Sequence, residues 1–204
     1  MRKGIEFRIN QNFRLTSDFL KVEWHPVDEA EIRREAAIDR EGRSVFRYRG
    51  VPQVVVQNSS GLMDFYYHSG TDFDVRGIQK WLRETIRERI MELACDMLPR
   101  RVKYWEDATG LHGTGVTVKH MRRNVYACCS SERHITIQPF LVLFGREWTD
   151  ETILHEIAHY KYMNHGKEFW AFLSGLLGRN ARQSKKKRDK EVGPLLPYCH
   201  FLTK

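Results

Sequence analysis

The sequence has no uninterrupted apolar run near the roughly 18 residues that a membrane-spanning helix needs, so a membrane-embedded protein is not expected. Its start, Met1-Arg2-Lys3-Gly4-Ile5-Glu6-Phe7-Arg8, is basic and then alternates charge with apolar residues. A secretory leader would need an apolar stretch there. Cysteine is scarce: Cys95, Cys128, Cys129 and Cys199 form no CxxC pair and no framework of matched spacings. That disfavours a disulfide-stapled secreted fold and favours a reduced, cytoplasmic protein. Internal repeats and low-complexity domains are lacking too, which excludes a solenoid.

What is present is an ordinary globular composition, 41% hydrophobic and 29% charged over 204 residues. This length suits one domain, or one domain with an appended subdomain, and supports a proper core. Lys and Arg number 34 against 26 acids, a net +8. Seven of those cations and only two acids fall within residues 179–191, a local +5 that leaves the rest of the chain at +3. Excess positive charge permits nucleic-acid contact without establishing it.

The first quarter reads as β-rich. Ile5, Phe7 and Ile9 alternate with charged residues, and residues 19–24 give a second strand candidate. Asp28 followed by Glu31 resembles a capping box, predicting a short solvated helix over 29–40. Residues 53–57 and 62–67 flank Asn58-Ser59-Ser60-Gly61, a hairpin signal. From Gly77 the apolar period becomes helical (Ile78, Leu82, Ile86, Ile90, Leu93, Met97), and Pro99 is expected to end that helix. Short strands are expected at 116–119 and 135–137, with a polar segment between them. Further helices are expected at 149–162 and 167–177, the latter closing at Gly178. The domain plan is therefore a β-rich part at 1–76, a core at 77–178 and a basic tail at 179–204.

The segment that carries chemistry is His155-Glu156-Ile157-Ala158-His159. Histidines four apart lie one turn apart on one helical face, so both can reach one metal. Glu156 sits beside the first of them, where its carboxylate can act as general base on a metal-bound water. With 9 His and 16 Glu in the chain, such a pattern arises by chance roughly 0.03 times. A catalytic zinc takes three protein ligands and keeps one open position. His165, just past an Asn-containing turn, is the preferred third ligand, and Glu168, one turn into the next helix, is its rival.

The run His155-Glu156-Ile157-Ala158-His159-Tyr160-Lys161-Tyr162-Met163-Asn164-His165-Gly166-Lys167-Glu168-Phe169-Trp170 resembles the YgjP-like metallopeptidase family, whose pattern HExxHxxxxNHxxxFW matches at every fixed position. That family also carries a segment of the form R-x-x-W-G-S-C-S-S-x-x-x-I-x-L-N ahead of the zinc helix. Here it corresponds to residues 123–138, where Cys129, Ser130, Ser131 and Ile135 match while Tyr126, Ala127, Cys128 and Gln138 depart. The resemblance implies an α+β, zincin-like metallopeptidase domain with an active-site helix and a small sheet. It also implies a Zn2+ cofactor and a protein or peptide substrate. The family is related to SprT/Spartan-like and WLM-type proteases, some of which cleave DNA-crosslinked proteins. Some members are associated with nucleotide pyrophosphate hydrolysis. The alternatives to peptide hydrolysis are therefore nucleoside triphosphate pyrophosphohydrolysis and a DNA-associated processing or binding module.

Other candidates are weaker. The strand Ile135-Thr136-Ile137 is a candidate edge for aligning an extended substrate by backbone pairing. Lys185, Lys186, Lys187 and Arg188 are candidates for weak, salt-sensitive nucleic-acid contact, against a solvated tail as the simpler reading. Cys128 and Cys129 read as structural rather than redox-active, since adjacent cysteines do not easily share a metal or an unstrained disulfide. Tyr160 and Tyr162 read as packing residues, Arg122 and Arg123 as a solvated or anion-binding pair, and His120, His134 and His200 as polar histidines outside the site.

Overall fold

The computed structural model describes residues 7–122 and 125–203. The fold is α+β and divides into two compact units, Met1–Arg89 and Ile90–Lys204. The division falls within one long helix. Among the described residues no helix is long and apolar enough to cross a membrane.

The first unit is built on a five-stranded sheet in the order β1-β2-β5-β4-β3. Its strands are β1 (Leu15–Thr16), β2 (Lys21–Val27), β3 (Arg43–Tyr48), β4 (Val51–Ser59) and β5 (Leu62–His68). β2 and β5 run parallel, with α1 (Glu29–Glu35) after β2. The Asp28 side chain accepts a hydrogen bond from the Glu31 amide at 2.7 Å, the N-cap expected from sequence. The expected hairpin forms with a tighter turn, since Ser59 pairs with Leu62 and Gly61 takes a positive φ of 71°. β3 and β4 meet through Arg49-Gly50, both at positive φ, as a two-residue type I′ turn requires.

Two layers cover this sheet. On one face Trp24 stacks on Phe65 (4.6 Å), and Phe46 packs against Trp81 of the long helix α2 (Arg76–Thr109). On the other, Ile32 of α1 packs with Val27 and Val55. Of the strand expected around Ile5 to Ile9, Ile5 lies outside the described residues and residues 7–9 are not a strand. Ile9 is fully buried, and its backbone N–H and C=O pair instead with the Gln79 side-chain amide (3.1 and 2.6 Å).

Pro99 does not end the helix: α2 continues to Thr109 with Pro99 inside it. An interior proline removes one helical hydrogen bond and costs about 3 kcal/mol. Apolar burial on both sides offsets this cost, because Leu98 and Val102 are fully buried in the second unit. The Arg101 guanidinium also makes a two-pronged bond to Asp150.

The second unit has a three-stranded sheet in the order β6-β8-β7: β6 (Gly115–Val118), β7 (Ala127–Cys129) and β8 (His134–Ile137). β8 is parallel to β6 and antiparallel to β7. The expectation that Ile135, Thr136 and Ile137 form a substrate-aligning edge is therefore corrected. They belong to the central strand, whose backbone groups are taken on both sides, and Ile135 and Ile137 point fully into the core. The outer strands of this sheet are β6 and β7.

Beneath the sheet runs α3 (Arg146–Ala158), preceded by a 3-10 turn Pro139–Leu143. Its buried residues occur on every side, from Thr149 to Ala158, as befits a helix enclosed by other elements. α4 (Lys167–Leu177) matches its expected span and closes at Gly178 in the left-handed region (φ 64°). Residues 179–203 are largely helical and partly buried. α5 (Ala181–Val192) starts at Asn180, whose side chain caps the Gln183 amide, and α6 (Leu196–Thr203) follows. Ala181, Ser184, Arg188 and Val192 form a buried face at helical spacing.

The Tyr160 hydroxyl donates to Glu106 on α2 (2.8 Å), and the same carboxylate oxygen accepts from the Gly113 amide (2.9 Å). A Cβ on Gly113 would lie 2.3 Å from that hydroxyl and 2.4 Å from the Arg133 carbonyl. Gly113→Ala is expected to lower stability by about 1–3 kcal/mol, as overpacking of a closed site does. Urea denaturation will read this as a lower midpoint with an unchanged m-value.

Candidate metal centre

α3 places His155 and His159 one turn apart, with ring centroids separated by 5.2 Å. The helix ends sooner than expected. His159 is its C-cap, and the chain then turns through residues 160–166 before α4 begins. That early stop swings His165 back over the helix, where its centroid lies 4.9 Å from His155 and 4.8 Å from His159. The Nε2 atoms of His155 and His165 approach to 2.8 Å, and one nitrogen from each of the three rings falls within 4.8 Å of the others. Glu168, the rival ligand, is exposed in the first turn of α4 and outside this group.

The phenyl ring of Phe169 is fully buried and touches all three imidazoles, stacking on His159 at 4.6 Å and meeting His155 and His165 at 5.0 and 4.7 Å. Trp170 stacks on His165 and donates its indole N–H to the His165 carbonyl (3.0 Å). His159 Nδ1 lies 2.9 Å from the Tyr162 carbonyl. A carbonyl only accepts, so Nδ1 carries the proton and Nε2 keeps its lone pair for a metal. Burial, reinforced by the neighbouring histidines and by Arg188 and Lys185, lowers the His155 pKa to about 3. His165 is lowered as well, chiefly by burial. For His155 and His165 burial thus favours the neutral, ligand-ready form. Three close imidazole nitrogens with unprotonated positions suit zinc or a similar borderline divalent ion.

Glu156 is only 6% exposed. Burial raises its carboxyl to about 8, opposed by the positive charge of Arg188 and by the Cys129 amide, which donates to it. That amide belongs to the β7 edge. In the ladder, Gln138 donates to the Tyr126 carbonyl and Ser130 to the His134 carbonyl, so the intervening Ala127 and Cys129 turn their backbone groups away from β8. β7 and α3 thus enclose a cleft of about 410 Å3, completed by α5 and lined by Tyr126, Ala127, His155, Glu156, Lys185 and Arg188.

The other sequence candidates settle outside the ligand group. Tyr160 is buried on Glu106, Tyr162 serves through its carbonyl, and His134 bonds Thr117 Oγ1 (2.8 Å). Arg123 lies outside the described residues. Burial raises both the Cys128 and Cys129 thiols, the latter to about 11, which keeps them protonated and poor nucleophiles. The four-residue run of cations divides. Lys186 and Lys187 are exposed, Lys185 faces the cleft, and Arg188 is buried at 5% exposure. Arg188 is therefore withdrawn from any basic outer surface, because the helical period turns it onto the buried face of α5. A second gathering of donors, Glu23, His25 and Asp64, lies in the first unit. There Lys21 pairs with Glu23, and His25 bonds Asp64 at 2.8 Å, an ordinary cross-strand pairing.

Sequence reasoning missed β7, Arg188 and Lys185 as parts of the cleft. The signal for Arg188 was its three-residue step from Lys185 and four-residue step from Ser184, which puts these residues on one helical face.

No curated protein and no solved structure gives a significant match to the chain. The family model for the YgjP-like metallopeptidase domain matches residues 24–188. The match extends well upstream of the histidine segment, into β2 of the first unit. With most of its length covered by that model, the chain belongs to the YgjP-like metallopeptidase family.

Proposed function

We propose that this protein is a zinc-dependent protein or peptide hydrolase, with His155, His159 and His165 as metal ligands and Glu156 as general base. The convergence of the three imidazoles beside a buried carboxylate carries the reading. When bound there, zinc supplies the Lewis acidity that brings the pKa of water near 7 and polarises a carbonyl. The protein's own groups do the rest. Phe169 and Trp170 hold the three rings, and the Tyr162 carbonyl fixes the His159 tautomer. Against the burial that raises the Glu156 carboxyl, the Cys129 amide and Arg188 favour its ionised form, and in that form the carboxylate can take a proton from the attacking water. The same carboxyl then delivers that proton to the leaving nitrogen. The outward backbone groups of Ala127 on β7 give an extended substrate a strand to pair with, so the edge function expected at 135–137 is assigned to β7 instead.

Zinc-loaded protein should cleave unfolded protein or peptides in a panel that also holds nucleotides and DNA-bound protein. Glu156→Gln should retain one zinc per chain while losing turnover by about 10²–10⁴-fold. His165→Ala should lose the metal itself, read by elemental analysis after dialysis. Turnover of nucleoside triphosphates with none of protein would overturn the peptidase reading, and unchanged turnover in Glu156→Gln would overturn the base.

The metal-free protein offers a second check. Between its ordinary value of 4.5 and about 8, folded Glu156 holds a proton that the unfolded chain has released, so stability falls as pH rises through that window. His155 acts at the acid side: between 6.5 and about 3 the unfolded chain takes up a proton that the folded chain refuses, so acid destabilises. Thermal denaturation of chelated protein from pH 6.5 to 8 should show a decline in the wild type that Glu156→Gln abolishes.

A further inference from the structure

Arg188 is more deeply buried than a guanidinium should be with so few partners. Its side chain is 6% exposed, and among the described residues it makes one hydrogen bond, to Thr152 Oγ1 at 3.2 Å. The nearest carboxylates stand off, with Asp189 Oδ1 at 3.6 Å from Nε and Glu151 Oε1 at 3.9 Å from an Nη. Both carboxylates are shared with other groups, and Asp189 Oδ1 itself makes no hydrogen bond among the described residues. The other Asp189 oxygen pairs with Lys185, and the other Glu151 oxygen accepts from Ser184 (2.7 Å) and Arg179 (3.2 Å). Among the described residues Arg188 Nε has no hydrogen-bond partner. A buried guanidinium with five donors and one good bond is costly unless another group completes it.

The place where that completion would occur is the cleft. Arg188 lines it together with Lys185, one turn away on α5, opposite His155 and Glu156. The Tyr126 ring lies under the guanidinium, 5.5 Å from its central carbon, fixing its plane. An anionic group seated here would gain a buried guanidinium and a half-buried ammonium at the wall of the reacting centre. The chemistry favours a singly charged, two-oxygen anion. Asp189 pairs with Lys185 in the same wall, leaving a net of one positive charge there, which matches a single carboxylate on the guanidinium edge better than a multiply charged phosphate chain.

We propose that Arg188 and Lys185 form a carboxylate-recognition subsite, making this a hydrolase for substrates that bear a carboxylate close to the scissile bond. The inference rests on the peptidase reading above and specifies its substrate class. The carboxylate has two possible sources, an acidic side chain or the chain's own C-terminus.

Matched peptides separate them: Glu against Gln at each position flanking the cleaved bond with an amidated end, and a neutral peptide with a free against an amidated end. For the preferred source, kcat/KM should be at least about tenfold higher for the carboxylate form, as expected for a charge-assisted bond in a buried setting. Zinc-loaded Glu156→Gln, a non-turnover trap, should bind the labelled carboxylate peptide more tightly than its neutral partner by fluorescence anisotropy. Lys185→Gln should reduce both preferences without loss of zinc. Arg188→Lys, which keeps the charge but not the fork, should reduce them further. If Arg188→Lys does not fold, Lys185→Gln and the wild-type comparison carry the test alone. Equal cleavage and equal binding of carboxylate and neutral peptides would overturn the subsite while leaving the peptidase reading intact. Cleavage of no peptide in either series would overturn that reading, and this inference with it.

Discussion

The candidate site depends on one aromatic ring. Phe169 has no exposed surface and touches His155, His159 and His165 at once. It is anchored in turn by an apolar cluster that includes Leu154, Ala158, Leu173 and Ala181. Burying such a side chain contributes roughly 1.5–3 kcal/mol, and here the same burial excludes water from one side of all three imidazoles. The lowered pKa values of His155 and His165 and the preset ligand geometry are therefore largely consequences of packing. Burial is the largest cause at both histidines, and Lys185 adds to it at both while Arg188 adds to it at His155.

The parts of this arrangement that were legible in the sequence are those whose determinants are local. α4 declares itself through its apolar spacing and Gly178. The triad declares itself through a four-residue step followed by a six-residue one across an Asn-containing turn. The Asp28 cap is equally local. What escaped depends on partners distant in sequence. Pro99 reads as a stop because its local cost is certain, yet Leu98, Val102 and the Arg101–Asp150 pair supply a compensation visible only once α3 is in place. β7 is three residues long and polar in its surroundings, and it becomes a strand only because β8 offers it a ladder. Assigning the substrate edge to residues 135–137 followed from not seeing β7, since without it the central strand looks like an outer one.

Charge shows the same division between composition and placement. A run of four cations in sequence suggests one basic patch. The period of α5 splits it, sending Lys186 and Lys187 outward, Lys185 to the cleft and Arg188 beneath the surface. Two adjacent residues, Lys187 and Arg188, thus meet different chemistry. One lies over Trp148 and the other over Tyr126. Net charge alone would assign them the same role.

The short strand β7 has a further consequence. Its outward amide at Cys129 holds the Glu156 carboxylate, and two residues earlier Ala127 presents its backbone to the cleft. Side chains and backbone groups alternate with a period of two, so sliding β7 by one residue would turn both sets of groups toward β8 together. Length changes in the connection between β6 and β7 are then tolerated only where they leave that pairing untouched. Divergence of specificity within such a scaffold would proceed by exchanging side chains around the cleft, because the strand proposed to meet the substrate also holds the Glu156 carboxylate and cannot be shifted independently of it.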